Sequence, residues 1–336
     1  MKRSLTALLL LLLSFTAGST LRGAPSCTPT GFVRDNINLT AALINPATLR
    51  GNVNAAGCHI GVYYSPGATG EIRNADIAYA RYFGVVVDGG AGSTSVDILD
   101  STIHAIGESP LNGTQHGVGI YYVAYNDAGT ASGRVSGNLL FNYQKGGIVV
   151  NGPGANVLVQ GNTVEGQGAV GYIAQNGIQF GFGGSGSAMK NTVSGHSYTG
   201  SSTVSGGIIV VGGPGYGTCG GNPCQFSTGV QIVQNTVTNN DIGIFLTNYE
   251  DVYGSAPATA TNIKVVNNVI SNAMLTNHYG GFGYQAGVAD VGNNDKIITN
   301  RISGAGYDPV ANPSAYTVAI DADVSFTNRP KVHANK

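Results

Sequence analysis

Two short phrases alternate along most of the chain and constrain its fold more than any other feature. The first is Asn with an aliphatic residue two positions on: Asn138-Leu-Leu140, Asn162-Thr-Val164, Asn191-Thr-Val193, Asn235-Thr-Val237, Asn268-Val-Ile270 and Asn300-Arg-Ile302. Ser101-Thr-Ile103 and Ala75-Asp-Ile77 hold the same slot earlier. The second is Gly followed by Ile or Val, at Gly61, Gly84, Gly119, Gly147, Gly177, Gly207, Gly243 and Gly287. Thr317-Val318 reads as a degenerate ninth copy. The shortest steps, Asn235 to Gly243 and Gly287 to Asn300, make a minimum repeat of 21 residues. A period of that size specifies a solenoid, and longer copies carry inserted loops.

Apolar residues around each phrase recur with period two, the mark of a strand with one buried face. Val157, Val159 and Val164 flank Asn162; Val230, Ile232 and Val237 flank Asn235; Ile263, Val265 and Ile270 flank Asn268. No amphipathic helical stretch separates the phrases, which excludes βαβ units, and Leu is too scarce beyond residue 13 for leucine-rich repeats. Composition agrees: 52 Gly, 31 Asn and only 10% charged residues suit tight turns and not helices. The expected fold is all-β, short parallel strands coiling in about 8–9 turns with loop insertions.

This pattern resembles the right-handed parallel β-helix proteins of the pectate-lyase-like superfamily. The resemblance covers roughly residues 50 to 325 and rests on the Asn-x-Val/Ile and Gly-Ile phrases. It implies a single-stranded right-handed coil whose Asn side chains stack in one turn. Each would bond backbone groups freed by the bend and the Asn of the next coil. The superfamily includes pectate and alginate lyases, polygalacturonases, mannuronan epimerases, tailspikes and adhesins. Their catalytic signatures are absent as sets. His116-Gly117 matches one polygalacturonase fragment, Asp308-Pro309 is followed by Val310 where epimerases have His, and there is no Trp for the pectate-lyase motif. The resemblance therefore specifies fold and leaves function open.

Met1-Lys2-Arg3, the apolar run Leu5 to Phe15 and Ala17-Gly18-Ser19 read as a secretory signal peptide. The expected organisation is signal peptide 1–24, N-terminal cap 25–50, β-helix 51–325 and tail 326–336. That places the protein outside the cytoplasm, secreted or periplasmic, without a transmembrane segment. The four cysteines suit disulfides there. Cys219 and Cys224 would close a tight loop, and by elimination Cys27 would pair with Cys58. With 16 basic and 17 acidic residues, no basic excess points to nucleic acid. A monomer is expected.

The residue after each Gly-Ile pair should face outward. That column reads Tyr63, Val86, Tyr121, Val149, Gln179, Ile209, Phe245, Ala289, Ala319. An apolar, aromatic stripe suits the C–H faces of sugar rings; the competing expectation is that loops fold over it. Arg81, His116 and Lys145 fall just before successive Gly phrases, as cations on adjacent rungs that need an anion among them. A uronate carboxylate would serve, and so would Glu108 or Asp127. The candidate catalytic set is Arg81, His116, Tyr121 and Lys145, for proton abstraction beside a neutralised uronate by a lyase or epimerase. The substrate-binding set is Tyr63, Tyr121, Phe245 and Asp127. No motif demands a cofactor; Ca²⁺ is the candidate ion, at Glu250 and Asp251 or at Asp321 and Asp323. Extracellular acidic polysaccharide is the expected partner, and a non-catalytic surface or carbohydrate-binding solenoid is the alternative. Asp290, where other coils carry Val87, Val150 or Leu246, calls for a buried partner.

Overall fold

A computed structural model describes residues 26–125, 129–322 and 327–336. The expected signal peptide lies outside them, as do Asp127 and Asp323. Parallel strands stack rung upon rung into a parallel β-helix. Among the described residues one sheet has 11 strands and another 17. The first takes a strand from each Gly-Ile phrase, from Ile60–Tyr64 through Gly146–Asn151 to Tyr316–Asp321. The second takes the strands on either side of each Asn phrase, such as Ala155–Gln160 and Thr163–Val170. The inward column Val62, Val85, Ile120, Ile148, Ile178, Ile208, Ile244 and Val288 is wholly buried, as is the facing column Ile77, Ile103, Leu140, Val164, Val193, Val237 and Ile270.

The two phrases need each other sterically. A Cβ at Gly177 would lie 2.5 Å from the Gly207 carbonyl oxygen and 2.5 Å from a Val193 methyl. Gly61, Gly84, Gly119, Gly147, Gly207, Gly243 and Gly287 meet the same pair, the next rung's carbonyl and the aliphatic side chain of an Asn-type phrase. None of them has positive φ, so close approach and not backbone freedom demands glycine there.

The asparagines form a continuous ladder. The backbone N–H and Nδ2 of Asn162 both donate to Asn191 Oδ1, at 2.9 Å each, and Asn162 Nδ2 also donates to the Val135 carbonyl at 2.9 Å. Asn138, Asn191, Asn235, Asn268 and Asn300 repeat the arrangement. Ser101 opens the ladder, donating its N–H to Asn138 Oδ1. Asn335 closes it, accepting from Asn300.

Two expectations shift at the C-terminal end. Val288 pairs with Ile320 and Ala289 with Asp321, so the last Gly-type phrase is Ala319-Ile320 and the outward residue is Asp321, not Ala319. No described strand follows it in that sheet, and Ala319 takes the place glycine holds on the other rungs. Lys331–His333, expected as tail, pairs in parallel with Lys296–Ile298.

At the other end, β1 (Thr28–Arg34) and β2 (Ile37–Ile44) form an antiparallel hairpin whose second strand pairs in parallel with Ile60–Tyr64. The hairpin leans over the outward face of the first sheet. Phe32 packs against Tyr63 and Phe83, with ring centroids 6.0 and 6.2 Å apart. Cys27–Cys58 ties it down, and Cys219–Cys224 closes a five-residue separation, both as expected. No helix among the described residues is long and apolar enough to cross a membrane.

Candidate functional site

The outward stripe is covered at one end and open in the middle. Tyr63 and Val86 are buried beneath the hairpin, and the Tyr63 hydroxyl donates to Asp88 Oδ2 at 2.9 Å. Beyond the hairpin tip a cleft of about 560 Å³ opens along the same face. Its floor is the outward column Tyr121, Val149, Gln179, Ile209 and Phe245, held in line by parallel pairing. Tyr172, Ala174, Tyr198 and Ser202 to Val204 line it from the inserted loops, and Phe182, Tyr216 and Thr247 lie toward its far end. Tyr216 stacks on Tyr249 with centroids 5.2 Å apart and planes 7° off parallel.

Two cations reach this cleft, Arg34 from the hairpin and Lys145 from the edge of a rung; its described lining holds no carboxylate. Lys145 Nζ donates to the Ala174 carbonyl at 2.9 Å. Burial pushes the Lys145 amine down to about 8, because a desolvated ammonium loses water's stabilisation. Burial pushes the Tyr121 phenol up, which keeps it protonated as a hydrogen-bond donor. Gln179 Nε2 donates to Asn151 Oδ1 at 3.0 Å, an amide pair on the cleft floor.

The other expected site residues sit elsewhere. Glu108 Oε1 bonds both Arg81 Nε and His116 Nε2, each at 2.7 Å. Burial opposes ionisation of Glu108, yet these two partners hold its carboxyl below the usual range. Glu108 is thus the anion among the cations, one of the candidates named from sequence. His116 also stacks on Tyr82, with centroids 3.9 Å apart, and lies 3.9 Å from Asp35 at the hairpin tip. The three cations do not share one column. The Lys145 N–H bonds the Gly117 carbonyl, so Lys145 lies level with Gly117 and its neighbour Gln144 aligns with His116. The spacing already carries that offset of one residue: Arg81 and His116 stand three residues before Gly84 and Gly119, Lys145 two before Gly147.

Phe245 also floors a smaller pocket of about 120 Å³ further along, with Tyr249, Tyr284, Ala289, Asp290, Val291 and Asp321. Asp321 accepts from Tyr284 Oη at 2.7 Å and Tyr316 Oη at 3.3 Å. Asp251 accepts from the N–H groups of Tyr253 and Ser255, and Glu250 from Ala258, as turn-closing carboxylates. No group of three or more His, Cys, Asp or Glu among the described residues is placed to hold a metal ion.

Sequence reasoning missed three features of the site: Arg34, the loop residues Tyr198 to Val204, and the carboxylate that anchors that loop. Asp241, wholly buried, accepts from Ser197 Oγ at 2.6 Å and from the N–H groups of Tyr198 and Ser205 at 2.9 Å. Burial pushes its carboxyl up to about 6 against these donors. A lone Asp before Ile242-Gly243 gave no sign that it served a loop some forty residues earlier.

No protein-family model matches the sequence, and no curated protein matches it. Among solved structures it is similar to tailspike protein 3 of bacteriophage CBA120, at 13% identity and a TM-score of 0.28. The match covers 86% of this chain and 51% of that one, so the chain spans about half the tailspike's length.

Proposed function

We propose that this protein binds an acidic polysaccharide along the outward face of its β-helix, with Lys145 as the group that meets a uronate carboxylate. One observation carries the reading: an elongated cleft, walled by tyrosines and floored by amide and apolar side chains, whose only described charges are Arg34 and Lys145. Ring faces pack on sugar C–H surfaces, amides and phenols bond hydroxyls, and the cations offset the carboxylates. Two disulfides suit an extracytoplasmic setting, where such polymers occur.

The depressed Lys145 amine adds a chemical reading to the same site. Near pH 8 a fraction of it is neutral and can take the C5 proton of a bound uronate whose carboxylate charge is then offset by Arg34, the other cation of the cleft. If the C4–O bond then breaks, the Tyr121 phenol can protonate the leaving oxygen, and a C4=C5 double bond remains. Arg81 and His116 are proposed to position the hairpin through Glu108 and Asp35, since both side chains already have carboxylate partners.

The test is absorbance of unsaturated uronate products on pectate, alginate and glycosaminoglycans, with binding to the same polymers measured by calorimetry. Product formation that disappears in Lys145→Ala supports a lyase at this cleft. Binding without product, weakened in Lys145→Ala, supports a non-catalytic solenoid. Binding to none of these polymers, or binding indifferent to Lys145→Ala, overturns the proposal.

A further inference from the structure

The cleft and the smaller pocket form one track with opposite charge at its ends. They share Phe245, and their floors belong to one outward column running from Tyr121 to Asp321. Arg34 and Lys145 stand at one end. From the Lys145 rung the column takes five pairing steps to Asp321, about 24 Å at the spacing of adjacent strands. There the lining includes Tyr249, Tyr284, Asp290 and the Asp321 carboxylate, without a described cation; Asp290 is itself buried and Asp321 half-buried. Tyr284 and Tyr316 face each other with centroids 5.5 Å apart, and both hydroxyls point at Asp321.

A homopolyuronate laid along this track would set one carboxylate at Lys145 and another at Asp321. The second contact joins like charges in a half-buried pocket and is unfavourable. An uncharged sugar there has no such conflict: its ring faces Tyr249 and Tyr284, and Asp321 accepts its hydroxyl protons. We infer that the ligand is a heteropolysaccharide, with its acidic sugar at Lys145 and uncharged sugars at the Asp321 pocket. The Asp321 carboxylate selects against polymers that are acidic at every unit.

This rests on the acidic-polysaccharide reading above, and one set of titrations separates the two. The full chain and its Asp321→Asn and Lys145→Ala variants are titrated with polygalacturonate and with deacylated gellan, which carries one uronate per four sugars. The expected result is tighter binding of gellan by the unmodified chain. Asp321→Asn should gain about tenfold in affinity for polygalacturonate, the scale of one relieved like-charge contact, while gellan binding changes little. Lys145→Ala should weaken both. Equal or tighter binding of polygalacturonate by the unmodified chain, with no gain in Asp321→Asn, overturns the selectivity and leaves the polysaccharide reading in place. Binding of neither polymer removes both. Melting temperatures show whether each variant is folded, and Asp321→Ser, which keeps a polar side chain without charge, is the substitute if Asp321→Asn is not.

Discussion

Lys145 carries the most chemistry of any single residue because burial has moved its amine to about 8. Its folded value lies below that of a free lysine, so positive charge is lost as pH rises through 8. Affinity for an acidic polysaccharide should therefore fall between about pH 7 and 9, and any lyase turnover should rise over the same interval. Lys145→Ala should abolish both inflections. Profiles flat through pH 8 would mean that Lys145 does not face the ligand. His196 shows the opposite outcome of burial. It is held neutral near 4, bonded through Nε2 to Tyr143 Oη and through Nδ1 to Asn240 Oδ1 inside the coil. It has no ligand to meet and serves the core.

Elements in this protein are rungs, and each rung is held by what it hands to the next. Asn191→Ala removes the acceptor for two buried donors, the N–H and Nδ2 of Asn162. Leaving that N–H and one Nδ2 hydrogen unpaired, the other still donating to the Val135 carbonyl, should cost about 3 kcal/mol, read as a shifted denaturant midpoint. A shift as small as that of a surface substitution would show the ladder to be incidental. Gly177→Ala tests the steric coupling of the two phrases. Its Cβ would press on a backbone carbonyl and a Val193 methyl at 2.5 Å, and overpacking of this kind costs about 1–3 kcal/mol. The added variant Val193→Ala should recover part of that loss by withdrawing the methyl, and failure to do so would locate the strain wholly in the carbonyl contact.

At the scale of the whole molecule, stability depends on how the two ends are closed. Asp290 enters the core at the position of Leu246 on the preceding rung and finds Asp295 as its buried partner. Asp295 accepts from Thr261 Oγ1 and the Ile263 N–H, each at 2.7 Å, and Asp290 from Thr327 Oγ1 at 3.3 Å. The remaining oxygens, Asp290 Oδ1 and Asp295 Oδ2, have no other partner and both crowd Gly292. Burial pushes both carboxyls up, and mutual repulsion raises Asp290 further, so the pair keeps a shared proton. The folded pair holds protons more tightly than the unfolded chain does. Stability must then fall as pH rises from the ordinary carboxylate range to the point where that proton leaves. His196 acts in the opposite sense between about pH 4 and 6.5 and Lys145 from about pH 7 upward, while Asp241 titrates near 6, so it is the comparison of melting temperatures with Asp290→Asn, which keeps all three groups, that isolates the acid pair. They should decline toward pH 8 in the unmodified chain relative to Asp290→Asn, whose amide supplies the missing donor; parallel profiles would refute the shared proton. At the other end, Cys27→Ser with Cys58→Ser frees the hairpin from the coil. The loss should be about 3 kcal/mol, with increased binding of a hydrophobic dye as Tyr63 and Phe83 open to water. An unchanged melting temperature and dye signal would show that apolar packing alone secures the hairpin.

The sequence by itself determined the coil. Its rules are local and recur on every rung: glycine where a carbonyl and a methyl crowd one Cα, asparagine where a turn leaves backbone groups unpaired, alternating aliphatics between. A repeated local demand is legible as a repeated phrase, and four cysteines in two loops left one sensible pairing. Even so, at the last rung, which no described strand follows in that sheet, the phrase has no glycine, and its sequence pattern points to Thr317 where the pairing gives Ala319. The tertiary structure alone decided the site. In sequence the anion beside Arg81 and His116 is open between a ligand carboxylate, Glu108 and Asp127; the insertion between Ile106 and Val118 brings Glu108 to both. The hairpin covers Tyr63, delivers Arg34 to the cleft and leaves Lys145 open to it. Insertions of unequal length carry no period, and where they fold depends on contacts with rungs far away in the chain. For that reason the scaffold could be read from its residues, and the groups it exposes could not.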